Sequence, residues 1–139
     1  MKKLAFLLVI CFVLTGCKAQ TLECVKVRNA DAGKFSYKVT LHIQNNKLID
    51  AKMENDLEIS NDYEKYSEVL INRFKKTLET YEIKKGVKTD IKTSKDSVKT
   101  SITFDLSKMT DKDKKELHFD NGTKKSLKKH YESDGFKCK

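Results

Sequence analysis

Four cysteines are the residues of this chain with the most definite chemistry, and the first to consider is Cys17. It ends the run Leu14, Thr15, Gly16, Cys17, which follows a short apolar stretch and has the form of a bacterial lipobox. In such a motif the chain is cut between Gly16 and Cys17, and the cysteine sulfur carries a thioether-linked diacylglyceryl group. The pattern predicts a mature protein that begins at Cys17 and is attached to a membrane by lipid.

The residues before Cys17 have the composition of an export signal. Lys2 and Lys3 supply positive charge, and Leu4 to Leu14 form an apolar stretch about half as long as the ~20 residues that span a bilayer. This length disfavours an uncleaved membrane anchor, whereas ordinary signal cleavage after Ala19 stays open as an alternative. The predicted organisation is a signal peptide at 1–16, a lipidated cysteine with a short tether at 17–21, and a single domain at 22–139.

The other cysteines fall into two groups. Cys11 lies in the apolar stretch and leaves with the signal. Cys24 and Cys138 flank almost the whole mature domain, and because that domain folds outside the reducing cytosol we expect them to form a disulfide. Closing a loop of roughly a hundred residues contributes at most about 4 to 5 kcal/mol. The alternatives are two free buried thiols, or two cysteines too far apart to bond.

Alternating apolar residues predict three strands in the first half of the domain. Residues 22–28 form a short strand, Phe35 to Gln44 alternate cleanly, and the alternation resumes after Asn45 and Asn46. The third strand has one apolar face, interrupted only by Asn55, which consists of Ile49, Ala51, Met53, Leu57 and Ile59.

The same faces predict the turn between the second and third strands. Residues that oppose each other in an antiparallel pair project to the same side of the sheet. Pairing Ile43 with Ile49 and Leu41 with Ala51 leaves a three-residue loop, Asn45 to Lys47, whereas a two-residue turn would place a charged residue opposite Leu41. We therefore expect the three-residue loop.

From residue 62 to 84 the apolar period becomes that of a helix. Asn61 followed by Glu64 resembles a capping arrangement, and Gly86 follows the helix end. The apolar stripe of this helix consists of Tyr63, Tyr66, Val69, Leu70, Phe74, Leu78 and Tyr81.

A second hairpin and a helical end complete the predicted fold. Alternation indicates strands beginning at Val87 and Val98, and Thr110 opens a short helical turn. A last helix, about 123–133, buries Leu127 and Tyr131. We predict an α+β fold: an antiparallel sheet of about five strands, in the order three strands, helix, two strands, helix, with the helices packed on one face.

These features together resemble small bacterial lipoproteins of the YehR type. The resemblance spans most of the mature chain and implies a lipid-anchored α+β domain. That family has no settled activity, so the resemblance implies no catalytic residues. It rests on the lipobox, on Cys24 at the first strand, on Asp105, Leu106, Ser107, Lys108 and Met109, and on the ending Gly135, Phe136, Lys137, Cys138.

Residues suited to catalysis or metal binding are sparse. Of the three histidines, His42 lies on the polar face of a strand, His118 lies in an irregular segment, and His130 could share a helix face with Asp134. Two such residues do not make a metal site. No HExxH, CxxC, GxSxG or phosphate-binding glycine loop occurs. We predict a protein that is not an enzyme and has no cofactor and no metal.

The chain is strongly basic, with a formal net charge of +9 that falls by two, to +7, when Lys2 and Lys3 leave. Lysine runs are usually solvated faces, but a short tether would hold some of them at an anionic surface. The candidates are Lys124, Lys125, Lys128 and Lys129 of the last helix. The expected partners are anionic lipid, a wall polymer or an envelope protein, not nucleic acid, and we expect a monomer on the exported side of the cell membrane or outer membrane.

Three functions are compatible with these observations. The leading hypothesis is a noncatalytic binding or envelope-associated module. The second is an inhibitor or immunity-type protein acting on a secreted hydrolase, and the third is a small-ligand receptor or an enzyme. A protruding loop between strands would favour the inhibitor, whereas a concave apolar pocket with convergent polar groups would favour ligand binding.

Overall fold

A computed structural model describes residues 19–120 and 122–139 of the chain. The predicted cleavage site at Gly16 and Cys17, the lipidated Cys17 and the signal cysteine Cys11 lie outside the described residues. Cys24, Cys138 and the four candidate lysines lie within them.

The core of the fold is a six-stranded antiparallel sheet in the order β4-β5-β3-β2-β1-β6. The expectation of about five strands was one too low, because β6 has only two residues and such a segment shows no alternation. The first strand starts within the expected tether, at Ala19. The strands are β1 (Ala19–Ala30), β2 (Gly33–Gln44), β3 (Lys47–Ile59), β4 (Val87–Thr93), β5 (Ser97–Asp105) and β6 (Lys137–Cys138).

The helices are α1 (Ser67–Glu82), α2 (Asp111–Glu116) and α3 (Lys124–Ser133), and a 3₁₀ segment, Asn61–Tyr66, leads into α1. The long predicted helix is therefore divided, and the expected Asn61 cap is wrong: Ser60 precedes the 3₁₀ segment without a capping side-chain hydrogen bond.

The two shorter helices are capped by threonine. The Thr110 hydroxyl accepts a hydrogen bond from the Asp113 amide at 3.1 Å, and Thr123 accepts one from Ser126 at 3.2 Å. Each cap satisfies a backbone donor that lacks a partner within the helix. Leu127 and Tyr131 of α3 are buried, as the sequence predicts.

The turn between β2 and β3 differs from the expected one. Leu41 does pair with Ala51, but a bulge at Ile43 lets that residue pair with Leu48. The turn is therefore the two-residue one, in which Asn45 and Asn46 both have positive φ, 52° and 59°. As a result Leu48 is buried, whereas Ile49, the residue predicted to face inward, is 42% exposed.

Cys24 and Cys138 are direct partners across the β1–β6 pair, with their sulfur atoms 1.98 Å apart, at disulfide distance. Backbone hydrogen bonds between Glu23 and Lys139, at 2.9 and 3.1 Å, continue the pairing beyond this position. The C-terminus is thus held against the edge of β1.

The apolar interior consists of two separate clusters on the inward face of the sheet. The larger packs Leu78 of α1 and Leu127 of α3 onto the strands, and the smaller contains Leu57, Ile59 and Val98. Leu78 is the one buried residue of α1, and Val69 of the predicted stripe is 54% exposed. The helix covers the sheet loosely between the two clusters.

A candidate ligand site between helix and sheet

A cavity of about 310 Å³ lies between α1 and the inward face of the sheet, and we call it the α1 cleft. This volume is at the lower end of the range for small-molecule sites. The strands contribute Tyr37, Met53, Asn55, Thr100 and Ile102, and the helix contributes Arg73, Phe74, Thr77, Leu78 and Tyr81.

The floor of the cleft is a polar strip made of Tyr37, Asn55 and Thr100. These residues are direct cross-strand neighbours on β2, β3 and β5. Thr100 is only 4% exposed, and its hydroxyl oxygen has no hydrogen-bond partner among the described residues. Leaving a buried hydroxyl unpaired costs about 1 to 3 kcal/mol, so this position is unfavourable unless something else supplies the partner.

Strand alternation places the strip on the inward face. In β3, Asn55 occupies the inward position between Met53 and Leu57, and in β5, Thr100 lies between the inward residues Val98 and Ile102. No side-chain hydrogen bond of Asn55 or Tyr37 to another described residue is present. The strip therefore separates the two apolar clusters, and none of its side chains has a hydrogen-bond partner among the described residues.

Arg73 supplies the charge of the cleft. It is exposed on α1, and no carboxylate in the described part of the chain forms an ion pair with it. Thr77, one turn further along, donates its hydroxyl hydrogen bond to the Arg73 carbonyl oxygen at 3.0 Å. The cleft lining contains no acidic residue, so its charge is positive.

Ion pairs flank the helix that roofs the cleft, and the one after α1 is largely buried whereas the one before α1 is exposed on the lysine side. Just after α1, the Lys84 ammonium lies 2.8 Å from Asp113 and 3.1 Å from Glu116, and these hydrogen bonds raise the pKa of Lys84. Just before α1, Glu64 accepts from Lys95 at 2.7 Å, which raises the pKa of Lys95. The middle of α1 thus spans the polar strip with its ends attached.

The opposite face of the sheet carries a concavity of about 640 Å³, and several of the charged residues that line it are paired. Lys99 lies 3.3 Å from Asp56, and Lys52 lies 2.7 Å from Glu54. Exposed ion pairs of this kind contribute little to stability, and the two charges of each pair neutralise each other. This face has the character of a solvated surface.

The lysines singled out from the sequence lie on α3, which starts at the end of the sheet where β1 starts. Ala19 pairs with Gln44 beside the β2–β3 turn, and Gly122 packs so closely on Leu48 that an added Cβ would lie 2.5 Å from the Leu48 nitrogen. We call this end of the sheet the β1-start end.

Lys124 and Lys125, the first residues of α3, lie near the β1-start end, and Lys128 and Lys129 lie one turn further away. Lys128 is 3.7 Å from Glu132, and the other three have no ion pair with a described residue. The helix therefore brings unpaired positive charge to the β1-start end.

The histidines are dispersed. The His42 ring nitrogen lies 2.5 Å from Asp50 on the open face, and the His130 ring lies 3.9 Å from the Asp134 carboxylate and 5.0 Å from the His118 ring. Within the described ranges, no group of three or more histidine, cysteine or acidic residues could hold a metal ion.

Sequence reasoning did not identify the cleft residues as a site. The sequence contained one indication of the site: Asn55 is the one polar residue on an otherwise apolar strand face. Tyr37 and Thr100 are common strand residues, and Arg73 looks like any exposed helix charge, so only their juxtaposition marks them.

No family model matches this chain, and no curated protein matches it. Two solved structures share its fold. The NMR structure of the E. coli YehR protein is 13% identical, with a TM-score of 0.63 over 88% of this chain and 92% of that one. The NMR structure of a protein from Streptococcus pneumoniae TIGR4 is 14% identical, with a TM-score of 0.56 over 88% of this chain and 86% of that one. At these identities the likeness establishes an α+β fold alone.

Among the described residues, the structure has no helix with the length and apolar character needed to cross a membrane.

Proposed function

We propose that this chain is a lipid-anchored envelope lipoprotein that acts as a noncatalytic binding module, with the α1 cleft as its binding site. The observation that carries the proposal is the polar strip in an otherwise apolar cleft, where the side chains of Asn55 and Tyr37 make no hydrogen bond to a described residue. A bound molecule that hydrogen-bonds to Asn55 or Tyr37 would satisfy these groups. Apolar walls around a few unpaired polar groups are the usual character of a ligand pocket.

The proposed anchor fits the position of the cleft. If Cys17 carries lipid, the start of β1 at Ala19 lies within ~7 Å of it. At ~3.3 Å per residue, Tyr37 in the cleft floor is about 23 Å along β2 from the β1-start end. The cleft therefore stays clear of the membrane in a tethered domain.

Metabolic labelling with a fatty-acid analogue tests the anchor. We expect the label on the wild-type protein and none on Cys17→Ala. Equal labelling of both proteins would rule out lipidation at Cys17.

The inhibitor hypothesis has less support. The turns between consecutive paired strands in the described part are short, such as Asn45 and Asn46, and the one large apolar side chain that protrudes from a connection there is Ile83, which follows α1 and is 84% exposed. The cleft supports ligand binding more directly than any loop supports the blocking of a hydrolase.

Amide NMR spectra of the lipidated chain in nanodiscs test the binding site. A small-molecule extract of the cell envelope should shift the resonances of the polar strip. Thr77→Phe, which fills the cleft, should abolish these shifts, and Thr80→Phe, on the same helix outside the cleft, should retain them. Unmoved cleft resonances in the wild type, or equal shifts in Thr77→Phe, would exclude the cleft as the binding site.

A further inference from the structure

We propose that the α1 cleft takes a small amphipathic monocarboxylate with a polar group at its far end: the carboxylate binds Arg73, the apolar body fills the cleft, and the far group hydrogen-bonds to the polar strip. This inference rests on the proposed function, since it assumes that the cleft is a binding site. It adds the chemical class of the ligand and its orientation in the cleft.

The charge of the site selects an anion. Arg73 is the only charged residue of the lining, and no described carboxylate pairs with it. Lys84 and Lys95 next to α1 are paired with carboxylates, and Lys75 and Lys76 of α1 have no ion pair with a described residue but do not line the cleft, so Arg73 is the cation placed at the site. A guanidinium presents a planar pair of N–H donors that matches a carboxylate, so an unpaired arginine at the cleft favours that group.

The walls and the volume select the body of the ligand. Phe74 and Leu78 from α1 face Met53 and Ile102 from the sheet. At ~30 Å³ of liquid volume per water-sized group, a cavity of about 310 Å³ holds roughly ten heavy atoms. A single ring with a short side chain has this size, whereas a long acyl chain exceeds it.

The polar strip selects the far group. Asn55 and its cross-strand neighbour Tyr37 are only partly buried and make no side-chain hydrogen bond to a described residue, so the amide of Asn55 and the hydroxyl of Tyr37 are both available. A hydroxyl at the far end of the ligand can donate to one of these residues and accept from the other. A purely apolar ligand would leave the strip unsatisfied.

Three matched probes test this class on the lipidated chain in nanodiscs. The first is 3-(4-hydroxyphenyl)propanoate, the second is its neutral amide, and the third is 3-phenylpropanoate, which lacks the hydroxyl. We expect the first probe to shift the amide resonances of Tyr37, Asn55 and Thr100. The amide should bind about tenfold more weakly, and the probe without the hydroxyl should bind several-fold more weakly.

The Arg73→Gln variant tests the carboxylate contact directly. It should lower the affinity for the acid about tenfold and leave the affinity for the neutral amide unchanged. Lys76→Gln, which removes a charge from the same helix outside the cleft, should bind all three probes as the wild type does.

The outcomes separate this inference from the proposed function. Equal binding of acid and amide, or an equal effect of Arg73→Gln on both, would overturn the monocarboxylate class while the cleft remains a binding site. The absence of a shift with all three probes would also overturn the class. The binding function itself fails only when the envelope extract too leaves the cleft resonances unmoved.

Discussion

Thr100 and Thr103 lie on the same strand, β5, but on opposite faces of the sheet. Thr100 is buried in the α1 cleft with its hydroxyl unpaired among the described residues, whereas Thr103 is exposed and donates to the Lys88 carbonyl oxygen at 3.4 Å. Because both are threonines of the same strand, the same substitution at the two positions shows what burial of the hydroxyl does to stability.

Replacing Thr100 by valine should stabilise the unliganded protein. The side chains are nearly equal in volume, and the change removes a hydroxyl that has no described partner, so we expect the free energy of unfolding to rise by about 1 kcal/mol. Thr103→Val should change it by less than about 0.5 kcal/mol. Urea denaturation measures both, and a loss of stability in Thr100→Val would show that the hydroxyl is hydrogen-bonded in the unliganded protein.

Gly86 cannot be replaced without moving the backbone. Its φ is +77°, and an added Cβ would lie 2.5 Å from the Asp105 carbonyl oxygen. Gly135 has a similar φ of +86°, but its nearest neighbours would be 3.6 Å away. We expect Gly135→Ala to cost about 1 kcal/mol for the left-handed backbone alone, and Gly86→Ala to cost at least about 2 kcal/mol. Equal losses in chemical denaturation would show that the close approach has no energetic effect.

Reduction of the Cys24–Cys138 pair should destabilise the domain. The two residues are 114 positions apart, so a bond between them restricts most of the unfolded chain. We expect reduction to lower the free energy of unfolding by about 2 to 4 kcal/mol. The stability of the double variant Cys24→Ala, Cys138→Ala should not change with reductant. This control separates the loss of the bond from other effects of the reductant. Unchanged electrophoretic migration and thermal stability of the wild type on reduction would contradict the bond.

Asp105 should make stability depend on acid pH. Hydrogen bonds from Lys108, at 2.8 Å, and from Ser107 lower its pKa from the ordinary 3.8 to about 2. Because the folded-state pKa is depressed, the stabilisation is complete above about pH 4 and is lost as the pH falls to about 2.

Asp105→Asn should therefore be less stable than the wild type at neutral pH, and the difference should shrink between about pH 4 and pH 2. Lys108→Met, which removes the largest cause of the shift, should reduce the same pH dependence. Thermal melts across this range measure both variants. A difference that is constant with pH would contradict the assignment.

Lys124 and Lys125 should face the lipid when the domain is tethered to an anionic membrane. Each basic residue near such a surface gains ~1 kcal/mol, and both lie near the β1-start end. On vesicles containing phosphatidylglycerol, their amines should react several-fold more slowly with an acylating reagent than on phosphatidylcholine vesicles. Lys75 and Lys76 of α1 serve as the reference within the same chain. High salt should remove the protection, and equal reactivity on both lipids would contradict the orientation.

Local pattern predicted much of the fold. Leu41 pairs with Ala51, Leu127 and Tyr131 are buried, and Thr110 starts a helical turn, all as expected. Each of these features depends on residues close together in the chain, where the period of two or 3.6 residues and the capping side chain act directly. The pairing of Cys24 with Cys138 was expected from the oxidising compartment, which is a property of the predicted address.

The features that the sequence did not predict correctly depend on pairing between strands, which a local pattern does not contain. Leu48 rather than Ile49 faces inward because a bulge at Ile43 shifts the register by one residue. The two-residue β6 forms by pairing with β1, where Cys138 lies opposite Cys24, a residue distant in the chain. The bulge breaks the alternation of period two, but Leu48 and Ile49 are both apolar, so the sequence is compatible with either register. A two-residue strand is too short to show any alternation.

The sequence alone determined the alternation of the strands, the amphipathic helices and the lipobox that predicts an address. Only the tertiary structure decided that Arg73 of α1 lies over a strip formed by Tyr37, Asn55 and Thr100 from three strands. The physical reason is that a cleft is the space left where a helix and a sheet fail to meet. That space is set by how α1 is held at its ends and by which side chains fill the interior, and both involve residues distant in the chain.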